Sequence, residues 1–304
     1  MAISRAQLVK ELEPGLNALF GLEYKRYDNQ HAEIYTNESS DRAFEEEVML
    51  SGFANAQVKG EGAGVSYDDA QETFTARYNH ETMALAFAIT EEAIEDNLYD
   101  RISSRYTKAL ARSMSNAKQV KAAAPLNNGL PAVDGFDSGD GVSLFNTDHT
   151  TVSGTNVSNT LTTQADLNET SLEQAMIDIS AMTDERGLRI AARALKMIVP
   201  PANQFNAERL MKSQGRTATA DNDLNAIASM GMLPQGYRIN NFLTDTDSFY
   251  IITDVPNGMK MFTRTPLTTA MEGDFDTGNV RYKARERYSF GVSDYRGIYG
   301  VEGA

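Results

Sequence analysis

Leu8, Leu12, Leu16, Leu19 and Phe20 recur at three- and four-residue spacing near the start of the chain, which predicts an amphipathic helix from about residue 5 to 21. Pro14 and Gly15 fall inside that pattern, and because proline lacks an N–H and crowds the preceding turn, the helix is expected to be interrupted there. Residues 24–51 are polar and carboxylate-rich and offer little for a local core. From residue 48 to 89 the apolar period drops to two. Phe74, Ala76 and Tyr78 share one face, followed by Met83, Leu85, Phe87 and Ile89, around glycines 60, 62 and 64. This reads as a long two-stranded excursion with a glycine-rich tip. An isolated hairpin is at best marginally stable in water, and the arm and hairpin hold too few apolar residues to fold on themselves, so both are expected to lie on other subunits.

Residues 90–124 give the strongest helical signal. Thr90 suits an N-cap, and Pro125, Asn128 and Gly129 supply the stop. Glu91, Glu92, Glu95, Asp96 and Asp100 occupy the first half, and Arg101, Arg105, Lys108, Arg112, Lys118 and Lys121 the second, which complements the helix dipole. At ~1.5 Å per residue such a helix approaches ~50 Å. Ile94, Leu98, Ile102, Tyr106, Leu110 and Met114 recur every fourth residue, so the stripe drifts around the axis and meets more than one neighbouring element.

After a glycine-rich loop and the segment Leu144-Phe145-Asn146-Thr147-Asp148-His149, a Thr/Ser/Asn-rich stretch runs to about residue 167. Leu172, Ala175, Met176, Ile179 and Met182 then mark a second amphipathic helix, with which a second compact domain starts. Residues 194–199 form a short buried strand stopped by Pro200-Pro201. A helix over 205–213 and a strand over 249–253 follow, an α/β or α+β alternation. Val280, Tyr282, Ala284, Tyr288, Phe290 and Val292 alternate with Arg281, Lys283, Arg285 and Arg287, which is a half-buried strand with a basic outer face. No repeat or low-complexity tract is present.

Composition narrows the function classes. With 304 residues, 41% hydrophobic, the chain buries one large core or two smaller ones. A net charge of −14 argues against tight nucleic-acid binding by the free chain, since that affinity rests on phosphate neutralisation by Lys and Arg. The absence of cysteine excludes disulfides, zinc thiolate sites and cysteine nucleophiles, and fits assembly in a reducing cytoplasm. No run of ~18 apolar residues is present, and the first 21 residues lack a signal-peptide core, so a soluble protein without a secretion signal or membrane span is expected.

Candidate chemistry is sparse. A catalytic or metal-binding role for Asp148-His149 needs an orienting partner, and only His31 and His80 remain elsewhere, so His149 reads as a surface-loop histidine. Gly60-Glu61-Gly62-Ala63-Gly64 lacks the trailing Lys-Ser/Thr of a phosphate loop and reads as a hairpin tip. Asp134, Asp137 and Asp140 miss calcium-hand spacing and read as turn formers. No cofactor or metal is expected. The basic stripe Arg281, Lys283, Arg285, Arg287 is matched more naturally by carboxylates such as Glu45, Glu46 and Glu47 on a neighbour than by DNA.

The order of arm, long hairpin, helix with Ile94-Glu95-Asp96, Asn-Asn-Gly, Phe145-x-Thr147-x-His149, α/β region and returning strand resembles the major capsid proteins of tailed phages, most nearly the Mu-like major head subunit. The resemblance implies an α+β fold of the Hong Kong 97 type, with an N-terminal arm (residues 1–47), an E-loop hairpin (48–79), a P-domain carrying the spine helix (80–167), an A-domain (168–270) and a P-domain return strand (271–304). It implies a non-enzymatic subunit that assembles in the host cytoplasm into hexamers and pentamers of an icosahedral virion shell. That shell encloses double-stranded DNA without sequence-specific binding. A separate scaffolding protein, a portal and a decoration protein are the implied partners. Some relatives join a loop lysine to a neighbour's asparagine. Lys59 sits near the loop tip here, but no unique asparagine is named. Glu45, Glu46, Glu47, Lys59, Arg281, Lys283, Arg285 and Arg287 are the candidate intersubunit contacts. Deletion through Asp41 is expected to leave a soluble second domain and no shells. The competing readings are an encapsulin-like nanocompartment shell, or a hydrolase using Asp148 and His149.

Overall fold

A computed structural model of the chain describes residues 5–90, 92, 99–130, 136–216, 223–274 and 278–304. Helix α1 (Arg5–Arg26) runs unbroken through Pro14, contrary to the expected interruption. An interior proline costs a helix ~3 kcal/mol. Here Leu16 and Phe20, just beyond it, are 7% and 2% exposed in a cluster with Leu110, Ala111, Met114, Tyr282 and Ala284, and burial on that scale outweighs the cost. The second half of the arm helix therefore packs on its own body. A 3-10 turn (Gln30–Glu33) and strand β1 (Thr36–Ser39) follow, with Ile34 and Tyr35 in the main core.

The long helix α2 spans Tyr99–Asn128. The Ile94-Glu95-Asp96 motif and Leu98 lie outside the described residues. Leu110 and Met114 are buried as the stripe requires, while Tyr106 is half exposed. Pro125 does not end the helix. It sits in the last turn, where only one N–H is lost, and tyrosine hydroxyls close off carbonyls nearby: Tyr35 donates to Ala122 O at 2.6 Å and Tyr250 to Leu126 O at 3.2 Å. Gly129 makes the stop. A Cβ there would fall 2.6 Å from Pro125 O and 2.8 Å from Leu144 Cβ, so only glycine fits between the helix end and the returning loop.

Two four-stranded sheets flank this helix. In the first, β1 runs parallel to β10 (Met259–Gly273), which pairs antiparallel with β11 (Val280–Val292), and β11 with β4 (Glu81–Ile89). Tyr282 and Ala284 of β11 face α1 and α2, as the alternation predicted. β4 was expected to belong to the excursion but pairs along its length with β11, for example Ala86 with Lys283. The expected division at Ala270 falls inside β10.

The second sheet has the order β12 (Ile298–Val301), β9 (Phe249–Thr253), β7 (Ala194–Val199), β8 (Tyr237–Ile239). It is accompanied by α3 (Glu169–Ala181), α4 (Gln204–Lys212) and α5 (Ala226–Met230). Asn168 and Ser171 form a reciprocal capping box at the start of α3. Residues 298–301, expected among the return-strand residues of the other domain, thus complete this sheet. Asn127 at the end of α2 clamps its outer loop, donating to Phe242 O at 3.0 Å and accepting from Thr244 N at 3.1 Å.

The hairpin consists of β2 (Phe44–Leu50) and β3 (Glu72–Asn79). Its inner face is not free. Ala76 and Tyr78 are buried with Phe262, and the Tyr78 hydroxyl lies 2.5 Å from Ser293 Oγ. Residues 53–72 are exposed throughout and are touched from the body by Arg186, whose guanidinium donates to Asp69 O at 2.6 Å.

Candidate functional site

The projecting loop is built to be covered. Val58 and Tyr67 are 100% and 97% exposed, and Val65 and Phe53 are largely exposed beside them, around a hollow of about 690 Å³ that the loop itself encircles. A turn closed by Ala63 N donating to Gly60 O, with Gly62 at φ +76°, forms the tip, and Lys59 is exposed next to it.

The basic stripe lies down the middle of the first sheet, on the face away from α1 and α2. Arg281 pairs with the Asp274 carboxylate, and Arg287 Nε donates to His80 O at 3.4 Å. Lys283 and Arg285 are exposed and have no ion-pair partner among the described residues. Small residues flank them, Ala86 and Ala270 beside Lys283, Ala84 and Thr268 beside Arg285, so no bulky neighbour on the paired strands covers either cation.

The carboxylates expected to meet that stripe have partners within their own chain. Glu45 accepts from Ser40 Oγ at 2.6 Å, Glu46 lies 3.7 Å from Arg77, and Glu47 lies 2.5 Å from Lys260 Nζ, which Glu38 approaches from the other side at 3.1 Å. Burial pulls the Lys260 ammonium down, but the two carboxylates outweigh it and hold it above the usual lysine value. Period-two spacing put the three glutamates at the root of the hairpin, and the root is where they act.

His149 corrects the surface-loop expectation. It is fully buried, with Nδ1 2.5 Å from Asp140 Oδ2 and Nε2 3.1 Å from Asn159 Oδ1, and its ring stacks on Tyr295 at 3.8 Å and 7°. Leu144 and Phe145, both fully buried, pull the segment inward, and Gly300 makes room because a Cβ there would meet the Phe145 ring at 2.5 Å. Burial raises the Asp140 carboxyl, but the hydrogen bonds from His149 and Ser138 overcome it and hold the group below the usual range. Asp148 is exposed and accepts from Asn156 Nδ2 at 2.9 Å. Both ring nitrogens of His149 are thus engaged inside the protein, and none of the ring is exposed. Asp137 and Asp140 accept from backbone N–H groups of their own loop, as turn formers do, while Asp134 lies outside the described residues. Replacing His149 with Ala leaves Asp140 buried without its partner, and a loss of about 2 kcal/mol in urea unfolding is expected. A change under about 0.5 kcal/mol contradicts this assignment.

Among the described residues no helix is long and apolar enough to cross a membrane, and no group of three or more His, Asp or Glu side chains is placed to hold a metal. The sequence model of the phage capsid protein family matches residues 44–301. No curated protein matches the chain in sequence. Solved structures do match in fold. A virus-like particle from Pyrococcus furiosus has a TM-score of 0.55 at 10% identity, covering 95% of this chain and 98% of its own. The capsid of an empty GTA particle has 0.57 at 15%, covering 91% of each chain. The capsid of Myoviridae phage XM1 has 0.53 at 11%, covering 89% of each. The mixed helix-and-strand architecture is thus the Hong Kong 97-type capsid fold, and the chain belongs to the phage capsid protein family.

Proposed function

We propose that the chain forms the wall of a tailed-phage head, assembling as hexamers and pentamers into an icosahedral shell around double-stranded DNA. The observation that supports this reading, beyond family membership, is the projecting loop, whose large apolar side chains are mostly exposed in the single chain. In this reading residues 53–72 and the Lys283–Arg285 pair are contacts between copies, with Lys59 at the loop tip. Glu45, Glu46 and Glu47 act indirectly by fixing the hairpin's root. The arm, hairpin, P-domain and A-domain correspond to α1 through β1, to β2–β3, to the first sheet with α2, and to the second sheet with α3 to α5. Assembly takes place in the host cytoplasm with a separate scaffolding protein, a portal and a decoration protein. The order of segments supports a head subunit of the Mu-like type. The role is structural, with no catalysis by Asp148 or His149.

Negative-stain electron microscopy of the purified protein, alone and with residues 53–68 replaced by a short Gly/Ser linker, tests the reading. Closed shells or shell fragments are expected from the parent, and a folded, soluble, shell-free protein from the variant. Normal shells from the loopless chain overturn the role given to the loop, and shells filled with a single protein cargo overturn the role given to the container.

A further inference from the structure

The hairpin leaves the first sheet through two short connections, residues 40–43 between β1 and β2, and the single residue His80 between β3 and β4. These two connections are tied to each other. His80 Nε2 lies 2.9 Å from Ser40 Oγ, and His80 Nδ1 lies 2.9 Å from Ser289 Oγ on β11, while His80 itself is 8% exposed. Ser40 Oγ also donates to Glu45 at 2.6 Å and accepts from Arg42 N at 3.2 Å. One imidazole thus joins the strand entering the hairpin, the strand leaving it and the sheet beneath. Because the Ser40 hydroxyl donates to Glu45, it accepts from His80 Nε2–H. His80 Nδ1 is then the unprotonated nitrogen and accepts the Ser289 hydroxyl proton.

We propose that His80 is a proton-sensitive joint that holds the hairpin against its own body in the neutral state and loosens it when the ring takes up a proton.

A proton added at Nδ1 turns Ser289 from donor to acceptor, so that bond survives with its direction reversed, and the cost lies in placing a charge on a ring that is 8% exposed. The surroundings oppose the new charge. Arg287 of β11 donates to the His80 carbonyl, and Arg264 of β10 is close by with a buried Nε that has no hydrogen-bond partner. Glu45 of β2 favours the charge, but Glu38 and Glu47 are committed to Lys260, and Glu81 of β4 to Lys121 of α2. Burial, with Arg287 and Arg264, accordingly holds the His80 pKa below the ordinary histidine value. The sign follows. A group whose pKa is depressed in the docked state disfavours docking once the pH falls below its free value, about 6.5. Docking is therefore full above that pH and is lost as the medium turns acid. What the joint would release is the inner face with Ala76 and Tyr78. The inference concerns the single chain and stands apart from the shell reading.

Amide hydrogen exchange of the full, unassembled chain at pH 7.5 and 5.5, corrected for intrinsic rates, tests it. Burial also raises the Glu286 and Asp294 carboxyls toward that window, so the His80→Gln variant isolates the part due to His80, while His31 is held at about 4 by burial and Lys118 against its Gln119 hydrogen bond. In the parent, strands β2 and β3 are expected to exchange at least about tenfold faster at pH 5.5, with β7 and β9 unchanged. In His80→Gln, whose amide still donates to Ser40 but does not titrate, the ratio is expected to stay near one. An NMR titration of His80 in the parent supplies a second measurement, in which the ring and the hairpin amides share one midpoint. An unchanged parent, a pH response retained in His80→Gln, or two separate midpoints each overturn the proposal.

Discussion

Arg296→Ala is expected to lose about 3–5 kcal/mol in urea unfolding, enough to leave most of the chain unfolded or aggregated given a typical total of ~5–15 kcal/mol. Arg296 is 2% exposed and lies among the largest fully buried side chains. Its Nε donates to Thr183 O at 2.8 Å, one terminal nitrogen lies 2.5 Å from Glu185 Oε1 and the other 3.3 Å from Asp294 Oδ1, and the guanidinium lies 4.5 Å over the Tyr295 ring. Tyr295 in turn stacks on His149, which holds Asp140. The arginine is therefore the end of a buried stack that joins residues 137–149, 183–189 and the C-terminal strand. Its removal strands two carboxylates in a medium that cannot solvate them; burial already pushes the Asp294 carboxyl up against the pull of the arginine. The mechanism is testable by compensation. In Arg296→Met with Glu185→Gln and Asp294→Asn, no charge remains to be stranded, and the Asn and Gln oxygens still accept from Arg296 N's position and from Val152 N. That triple variant is expected to recover more than half of the loss. A single variant that loses less than about 1 kcal/mol, or a triple variant no better than the single, removes the buried-charge argument.

This site also marks the limit of what spacing along the chain reveals. Local periodicity identified α2 from its charge gradient, α3 from Leu172, Ala175, Met176 and Ile179, and β7, β9 and β11 from apolar runs and alternation, because each signal lies inside one element. Arg296 meets Glu185 across 111 residues, and no short-range pattern encodes such a pair. β10 escaped notice because its outward half, around Thr265, Pro266, Thr268 and Thr269, has no apolar alternation of its own and owes its extension to β11. β4 was merged with the hairpin because the period of two continues across His80, the single residue that redirects the chain. The candidate contacts fared unevenly for the same reason. Lys283 and Arg285 are outward on a strand whose faces alternate, a property of the strand itself. The occupation of Glu45, Glu46 and Glu47 depends on Ser40, Arg77 and Lys260, which only the fold brings near.

The arm shows the largest revision and yields the last expected result. If α1 served only to reach a neighbour, deleting it would leave a sound body that fails to assemble. Instead Leu16 and Phe20 fill the groove between α2 and the first sheet. Asn17 Oδ1 accepts from Thr269 and from Tyr282, each at 2.8 Å, and Tyr24 OH reaches Glu286 at 3.5 Å. Glu286 is itself buried, paired with Lys118 at 3.2 Å, and its carboxyl is raised by burial despite that lysine. Removing residues 1–26 uncovers Leu110, Met114 and Tyr282 and opens this ion pair to water. A truncated chain that aggregates, and not a soluble assembly-defective one, is therefore expected. Phe20→Ala separates folding from assembly: truncating a phenylalanine this buried costs about 3–5 kcal/mol, whereas a residue needed only between copies would leave the single chain's urea midpoint unmoved. An unmoved midpoint in Phe20→Ala, with shells lost, would return α1 to the neighbour and place its resting position on its own body in doubt.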